Sequence, residues 1–323
     1  MTVNPEPTHV GAPDFMILGT PRSGTTVVQR LLADCRGISV PQETHFFSVF
    51  VPTRKWQSPP LSAADLRSHL TAYADMDISP LPGSEVDAVI ESLDGRASTV
   101  FDLFAAVVRH LSGFDDIVGE KTPHHLLWWR QLATAYPSLR FIWVIRDPRA
   151  VVESNVRMPW GMDSVAANAA MWSADQRQLS ASALALGKRM RLVRYEDVVA
   201  NPDETRIVLA QHVGLDGSPA IEPARLEQLA TARETWKDAV VSPIVRNRNE
   251  LWRDKLDGRS IAIVEAICGA EMEAHGYTPT SNLATRLEMG ERIQAARVRA
   301  SRVRRMRQQE RIVRTHLAVR VDS

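Results

Sequence analysis

The segment Gly19-Thr-Pro-Arg-Ser-Gly-Thr-Thr26 has the residue types and the spacing of a loop that binds a phosphate group. Its two glycines allow backbone N–H groups to converge on an anion, and a helix that starts after the loop adds partial positive charge. A loop of the ATP- or GTP-binding type places lysine directly after the second glycine. Here that position is Thr25, and the cation is Arg22, inside the loop. The pattern therefore predicts phosphate binding without hydrolysis of a nucleoside triphosphate.

A second anion site is predicted at the segment Arg146-Asp-Pro-Arg-Ala-Val-Val-Glu-Ser154. Arg146 follows a strongly apolar run, and open α/β sheets bind ligands at the carboxyl ends of their strands. A helix begins near Pro148, so Ser154 lies about two turns further along. An arginine and a hydroxyl in this arrangement could hold one further phosphate. Asp147 could equally serve as the cap of the same helix, so the pattern alone leaves both interpretations open.

The elements that must position these motifs are short apolar strands that alternate with longer helices. We predict strands at residues 15–18, 117–119, 140–145 and 191–194, and helices at residues 25–33, 99–111, 150–156 and 164–186. Residues 51–98 are expected to form an irregular or helical insertion over one end of the sheet. Because strands that alternate with helices pair in parallel, we expect an α/β fold whose central sheet is covered on both faces.

The overall composition narrows the class of protein. The 323 residues are 44% hydrophobic and 24% charged, which is typical of a globular protein and excludes a collagen-like or largely disordered chain. The two cysteines, Cys35 and Cys268, are too few for a disulfide framework or a cysteine-built zinc site. The first residues lack the pattern of a secretory signal, and no stretch approaches the ~20 apolar residues of a membrane span. We therefore expect a cytoplasmic protein without a metal site.

The net charge of +1 conceals a basic tail. Residues 281–323 contain eleven arginines, four acidic residues and no lysine, and apolar residues recur loosely among them. This composition predicts a long basic helix. The helix could lie solvated on the body of the protein, or it could contact a partner subunit, an anionic membrane or an anionic substrate. We expect neither donor binding nor the chemical step to require it, and no nucleic acid is expected as a partner.

Taken together, these motifs resemble the family of sulfotransferases that use 3′-phosphoadenosine-5′-phosphosulfate (PAPS). The segments that carry the resemblance are Pro21-Arg-Ser-Gly-Thr-Thr26, Glu120-Lys-Thr-Pro123, Arg146 with Ser154, Tyr195-Glu-Asp197 and Trp252-Arg-Asp-Lys-Leu256. The resemblance implies a P-loop fold with a central parallel sheet like that of nucleotide kinases, here over residues 15–280. A flexible leader of residues 1–14 would precede this domain, and the basic tail of residues 281–323 would follow it.

The resemblance also implies the donor and its contacts. The loop would bind the 5′-phosphosulfate of PAPS, Arg146 and Ser154 its 3′-phosphate, and Tyr195 its adenine. Arg246 or Arg248 would close over the 3′-phosphate. The implied donor-binding residues are Pro21, Arg22, Ser23, Gly24, Thr25, Thr26, Arg146, Ser154, Tyr195, Arg246 and Arg248.

The segment Gln42-Glu-Thr-His-Phe-Phe47 resembles the E-x-H-F-F of heparan sulfate 3-O-sulfotransferases and of many bacterial relatives, in which the glutamate is the base. This resemblance assigns the base to Glu43, with Arg22 and Lys121 as cations that stabilise the developing charge. His45 and His124 stay open as alternative bases. The implied reaction moves a sulfonate from PAPS to a hydroxyl of a small-molecule, glycan or lipid acceptor without a metal. A nucleotide or small-molecule kinase, or a non-catalytic nucleotide-binding module, is the alternative.

Overall fold

The computed structural model of the chain describes residues 11–93, 99–113, 116–159, 161–215, 220–221, 249–281 and 286–321. Within these residues a five-stranded sheet has the order β2-β3-β1-β4-β5, and every paired strand is parallel to its neighbour. The strands are β1 (Phe15–Gly19), β2 (Ile38–Ser39), β3 (Ile117–Lys121), β4 (Arg140–Ile145) and β5 (Met190–Arg194). The central strand β1 is the one that leads into the predicted phosphate loop, so both neighbouring strands end beside that loop.

The helices follow the strands in alternation. They are α1 (Thr25–Ala33), α2 (Val51–Thr53), α3 (Ala63–Ala74), α4 (Val86–Ser92), α5 (Val100–Ser112), α6 (Trp129–Ala135), α7 (Pro148–Val156), α8 (Val165–Leu186), α9 (Tyr195–Ala200), α10 (Pro202–Val213), α11 (Trp252–Lys255), α12 (Gly258–Ala274) and α13 (Met289–Val321). A turn of π-helix (Phe46–Phe50) and a 3₁₀-helix (Pro123–Trp128) lie next to the site. The predicted α/β class is confirmed, and each predicted strand and helix is present within two residues at either end.

The sheet is covered on both faces because side chains of a strand alternate between them. Phe15 and Ile17 of β1 pack against α1, α9 and α10, whereas Met16 and Leu18 pack against α5 and α8 on the opposite face. All four side chains are fully buried. Burial on both faces explains why β1 is a continuous apolar run rather than an alternating one.

The insertion predicted at residues 51–98 is helical where it is described, and it positions the segment that contains Glu43. Helix α3 starts with a capping box in which Ser62 and Asp65 bond each other's backbone N–H groups. Its buried face includes Tyr73, whose hydroxyl donates to the carbonyl of Thr44 at 2.6 Å. The ring of Tyr73 also packs on Phe46 with centroids 5.3 Å apart. The insertion therefore holds Thr44 and Phe46, which follow Glu43 in the chain.

The basic helix predicted in the tail is present as α13, and it lies on the body of the protein against α6 and α8. Its most buried side chains are spaced seven residues apart, at Ala295, Arg302, Gln309 and His316. Three of these four side chains are polar, whereas the apolar side chains of Ile293 and Val303 in the same helix are 44% and 49% exposed. A hydrophobic pattern could not reveal the contact face, because most of its side chains are polar. None of the described helices is long and apolar enough to cross a membrane.

At the other end of the chain, residues 1–10 lie outside the described part. Asp14 accepts from the guanidinium of Arg109 at 3.0 Å and from the N–H of Val118 at 2.8 Å. These contacts tie the start of β1 to α5 and β3. The division of the chain at residues 14 and 280 stays a prediction.

Candidate active site

The loop between β1 and α1 has an unusual backbone. Arg22 adopts a left-handed conformation with φ of 71°, which is uncommon for a residue with a side chain. Gly24 has φ of 97°, and a Cβ atom at this position would lie 2.2 Å from Cδ2 of Tyr195. No side chain among the described residues caps the N-terminus of α1. The first N–H groups of this helix therefore face the loop, as in sites that bind anions.

The two predicted anion motifs meet at this loop. Arg22 donates from Nε to Oγ of Ser154 at 3.0 Å, and Arg146 donates from Nη1 to the carbonyl of Arg22 at 3.2 Å. The guanidinium of Arg146 also lies over the ring of Tyr195, 4.5 Å from its centroid. Burial lowers the pKa of Arg146, and the nearby Tyr195 and Glu196 partly offset the effect. Two cations, a hydroxyl and an uncapped helix end thus lie side by side.

Glu43 and Lys121 form an ion pair on the other side of the loop. Nζ of Lys121 lies 2.5 Å from Oε1 of Glu43 and donates to Oγ1 of Thr26 at 3.4 Å. The Lys121 side chain is fully buried at the end of β3, while that of Glu43 is 14% exposed. Burying a lysine is costly unless an anion compensates its charge. The predicted base and the predicted cation are therefore in direct contact, and the cation also contacts Thr26, the last residue of the phosphate-loop motif.

A buried network that the sequence analysis did not predict holds the Glu43 segment in place. Oε1 of Glu120 accepts from the hydroxyls of Thr44 and Thr122, at 2.9 and 2.6 Å. Nε2 of His125 accepts from the N–H of Phe47 at 3.1 Å, so Nδ1 carries the proton and donates to Oε2 of Glu120 at 3.0 Å. Burial alone would raise the pKa of Glu120, but His125 and the two hydroxyls outweigh it and lower that pKa.

The two histidines considered as alternative bases lie on either side of Glu43. Nε2 of His45 is 3.5 Å from Oε2 of Glu43, and His45 has a left-handed backbone with φ of 50°. Arg22 and His45 are the non-glycine residues with positive φ in the described chain, and both adjoin the candidate site. Strain of this kind concentrates at functional sites. Burial and the nearby Arg302 lower the pKa of His124 to about 3, so its imidazole is neutral near pH 7.

A second unpredicted group lies behind the loop. Thr20 donates to Oδ2 of Asp175 at 3.0 Å, and Oδ1 of Asp175 lies 2.8 Å from Nη2 of Arg302. Burial raises the pKa of Asp175 to about 6, although Arg302 and Thr20 act in the opposite direction. Helix α13 is thereby connected through one buried carboxylate to the residue that precedes Pro21.

The remaining predicted donor-binding residues divide into two groups. Pro21, Ser23 and Thr25 are buried in the loop, and Oγ of Ser23 has no hydrogen-bond partner among the described residues. Arg246 and Arg248 lie outside the described residues. Trp252 is described: it is buried under Arg149, whose guanidinium carbon lies 4.1 Å from the centroid of the indole ring. In the described part of the chain, no group of three histidine, cysteine or acidic side chains could hold a metal ion.

Comparison with known proteins identifies the family to which the chain belongs. A model of the sulfotransferase family matches residues 13–219, which include the loop, the Glu43 segment, Lys121, Arg146, Ser154 and Tyr195. The chain belongs to the sulfotransferase family. Among curated proteins, none is significantly similar to it in sequence.

The chain was also compared with solved structures. The sulfotransferase domain of the Synechococcus PCC 7002 olefin synthase is 16% identical, with a TM-score of 0.53 over 90% of this chain and 96% of that chain. The sulfotransferase domain from the curacin biosynthetic pathway is 16% identical, with a TM-score of 0.46 over 89% of this chain and 97% of that one. A sulfotransferase from Alicyclobacillus acidocaldarius is 17% identical, with a TM-score of 0.42 over 80% and 97%. The first similarity shows the shared P-loop type of α/β fold.

Proposed function

We propose that the protein transfers a sulfonate group from PAPS to an alcohol, with Glu43 as the base. The observation that carries this proposal is the contact between the two anion motifs, in which Arg22 bonds Ser154 and Arg146 bonds the backbone of Arg22. A donor with phosphate groups at the 3′ and 5′ positions of its ribose needs two adjacent anion sites. A single phosphate loop would serve many nucleotides, whereas two joined sites favour a nucleoside 3′,5′-bisphosphate.

The residues present fit such a donor. The uncapped N-terminus of α1 and Arg22 can receive the 5′-phosphosulfate, and Arg146 with Ser154 can receive the 3′-phosphate. Burial lowers the pKa of the Arg146 guanidinium, and a phosphate beside it would stabilise the charged form. The buried hydroxyl of Ser23 offers a further donor in the loop.

The chemistry follows from the ion pair of Glu43 and Lys121. In an in-line displacement, the acceptor oxygen forms a bond to sulfur while the bond from sulfur to the 5′-phosphate oxygen breaks. The acceptor hydroxyl gives its proton to Glu43, and adenosine 3′,5′-bisphosphate leaves with the bonding electrons. Lys121 lies against both Glu43 and Thr26, so it orients the base and places a positive charge beside the loop that carries the leaving group.

The alternative bases are less suited to this step. Burial lowers the pKa of His124 to about 3, so its imidazole is a weaker base than an ordinary glutamate carboxylate. His45 lies next to Glu43 and acts best as a neighbour that orients the carboxylate. The kinase alternative is disfavoured because Thr25 stands where ATP-binding loops have lysine. Parallel assays with PAPS and with ATP, each with and without EDTA, distinguish the two: transfer from PAPS should survive EDTA.

Donor recognition is tested by binding. Wild-type protein should bind adenosine 3′,5′-bisphosphate more tightly than AMP, as measured by titration calorimetry. Replacing Arg146 removes a charge-assisted contact of ~1.5–3 kcal/mol, so Arg146→Ala should weaken bisphosphate binding by about 10–100-fold and AMP binding much less. Arg157→Ala is a matched control. Arg157 lies at the C-terminal end of α7, the helix that follows Arg146, and its side chain is 54% exposed. Equal affinity of the wild type for the two nucleotides would contradict the proposed donor.

A further inference from the structure

A cavity of about 400 Å³ lies between α13 and the segment that follows Glu43. Its apolar side includes Val49, Leu127 and Trp128, and its polar side includes Arg305 and Gln308 of α13. His124 is part of the same wall. The volume falls within the range of about 300–1,000 Å³ found for small-molecule sites. The sequence analysis assigned no ligand to this region.

Part of the cavity wall, at Ser48 and Val49, follows the proposed base in the chain. The N–H of Val49 donates to the carbonyl of His45 at 2.9 Å, and Oγ of Ser48 donates to the same carbonyl at 3.3 Å. The imidazole of His45 is in turn 3.5 Å from Glu43. His124 is within electrostatic reach of Glu43 on one side and of Arg302 and Arg305 on the other. A molecule in this cavity would therefore lie between the segment that follows Glu43 and the basic helix.

Helix α13 is held firmly where it forms the wall. Arg302 pairs with Asp175 one turn before Arg305. About one turn after Arg305, the side chain of Gln309 donates to the carbonyl of Leu127 at 3.2 Å and accepts from Nε1 of Trp128 at 2.9 Å, in the amide orientation that satisfies both bonds. The backbone of α13 is fixed between these two anchors, so the Cα positions of Arg305 and Gln308 are fixed as well. The wall is therefore formed before any ligand binds.

Arg305 itself differs from its anchoring neighbours. Its side chain is exposed, and it makes no ion pair with any residue in the described part of the chain. A guanidinium at the edge of an apolar cavity, next to the amide of Gln308, is suited to a carboxylate or phosphate on a ligand whose apolar part contacts Leu127 and Trp128.

We propose that this cavity binds the acceptor, and that the acceptor is an alcohol with an apolar skeleton and an anionic group that Arg305 recognises. This inference rests on the proposed function and assigns the acceptor class to it. It gives α13, which lies beyond the residues matched by the family model, a direct part in substrate selection.

A pair of probes that differ only in charge tests the inference. The probes are 10-hydroxydecanoate and its methyl ester, and their dissociation constants are measured by titration calorimetry with adenosine 3′,5′-bisphosphate present. The wild type should bind the acid at least tenfold more tightly than the ester. In Arg305→Gln this preference should fall by about tenfold, because one exposed charge-assisted contact is lost, while the melting temperature stays unchanged.

Two further variants locate the effect. Arg304→Gln is the matched control, because Arg304 is exposed on the same turn but does not line the cavity, and it should keep the preference for the acid. Val49→Phe partly fills the cavity and should weaken binding of both probes. An equal effect of the Arg304 and Arg305 variants would overturn the inference, because it would indicate diffuse attraction by the basic helix. The absence of any preference for the acid in the wild type would also overturn it.

The same samples separate this inference from the proposed function. If the wild type fails to bind adenosine 3′,5′-bisphosphate, the proposed function is wrong. If it binds the bisphosphate and shows no selection between the two probes, the donor assignment survives and only the acceptor class is wrong.

Discussion

The donor side of the candidate site is built from residues at the ends of adjacent parallel strands, whereas its acceptor side is built where α13 crosses the body of the protein. On the donor side, the loop after β1 meets Arg146 after β4 and Tyr195 after β5. On the acceptor side, Arg305 and Gln309 reach the cavity from the last helix described. The first arrangement follows from sheet topology, and the second depends on a few long-range polar contacts.

This difference has an energetic consequence. The proposed donor side relies on backbone N–H groups at the start of α1 and on the arginines of the two anion motifs, so substitutions there should affect binding or turnover more than folding. The acceptor side relies on buried polar pairs such as Asp175 and Arg302, which cost free energy when one partner is missing. Substitutions at these anchors should therefore affect stability first.

The largest effect is expected at Glu43, where the two sides meet. Glu43→Gln preserves the size of the side chain but cannot accept the proton, so kcat should fall by about 10²–10⁴. Binding of adenosine 3′,5′-bisphosphate should change little. Single-turnover measurements of sulfonate transfer, combined with calorimetry, check both parts.

A control at the neighbouring histidine sharpens this result. His45→Asn keeps a residue type that tolerates the left-handed backbone at φ of 50°, and it should lower kcat far less than Glu43→Gln. If Glu43→Gln retains nearly full turnover while the chemical step is rate-limiting, the base lies elsewhere. Glu43 would then not be the residue at which the donor side and the acceptor side meet.

The next largest effect is expected at the anchor of α13. Arg302→Met leaves the Asp175 carboxylate buried without its countercharge, which should lower the free energy of unfolding by about 3–5 kcal/mol. Asp175→Asn combined with Arg302→Met should be less destabilising than the sum of the two single changes. Chemical denaturation of the four proteins measures this coupling. Arg297→Met, an exposed position on the same helix, serves as the control and should be nearly neutral.

The pH dependence of Arg302→Met provides a separate check. The pKa of Asp175 is already raised to about 6 and should rise further without Arg302. A carboxyl group with a raised pKa binds its proton more tightly in the folded state, so stability decreases as pH rises through that range. The variant should therefore lose more stability at pH 8 than at pH 5.5. A loss that is independent of pH would mean that Asp175 does not carry the charge assigned to it.

The smallest of the three effects concerns the far end of α13. His316 is fully buried, its Nδ1 accepts from the N–H of Val100 at 3.3 Å, and burial lowers its pKa from 6.5 to about 4. A histidine that is neutral when folded stabilises the protein fully above its unfolded pKa, and this contribution is lost as pH falls toward 4. The loss should reach about 3 kcal/mol at the lower end of that range.

His316→Gln tests this contribution because glutamine can still accept the bond from Val100 without titrating. Denaturation midpoints between pH 7 and pH 4 should decline less steeply for the variant than for the wild type. Part of the slope should remain, because burial also lowers the pKa of the adjacent His69. Identical slopes would show that this end of α13 opens before His316 is protonated.

Residues at strand ends could be placed from the sequence with good accuracy. The short apolar run before Gly19 and the longer one before Arg146 identify β1 and β4, and parallel neighbours bring their following loops together. The two anion motifs were recognised separately, the resemblance placed them on one donor, and the structure brings Arg22, Arg146 and Ser154 into contact. The family resemblance suggested Glu43 and Lys121 as separate site residues, but their direct contact was not predicted, because no local pattern links a residue after β2 to the end of β3.

Other parts of the site could not be predicted in this way. The bond of His125 to Glu120 and the left-handed backbone of His45 depend on how the Phe46–Phe50 turn packs against α3. The basic helix was predicted, but its contact face was not. That face consists of residues such as Arg302, Gln309 and His316, which a hydrophobic pattern assigns to solvent.

The sequence by itself determined the alternation of strands and helices, the phosphate loop with Arg22, and the second anion motif at Arg146, because apolar periodicity and loop chemistry act between residues that are close in the chain. The tertiary structure alone decided that α13 lies along α8 and forms one wall of a cavity whose opposite wall is the segment that follows Glu43. The physical reason is that a polar side chain becomes a buried contact only when a distant partner compensates its charge or its hydrogen bonds, as Asp175 does for Arg302.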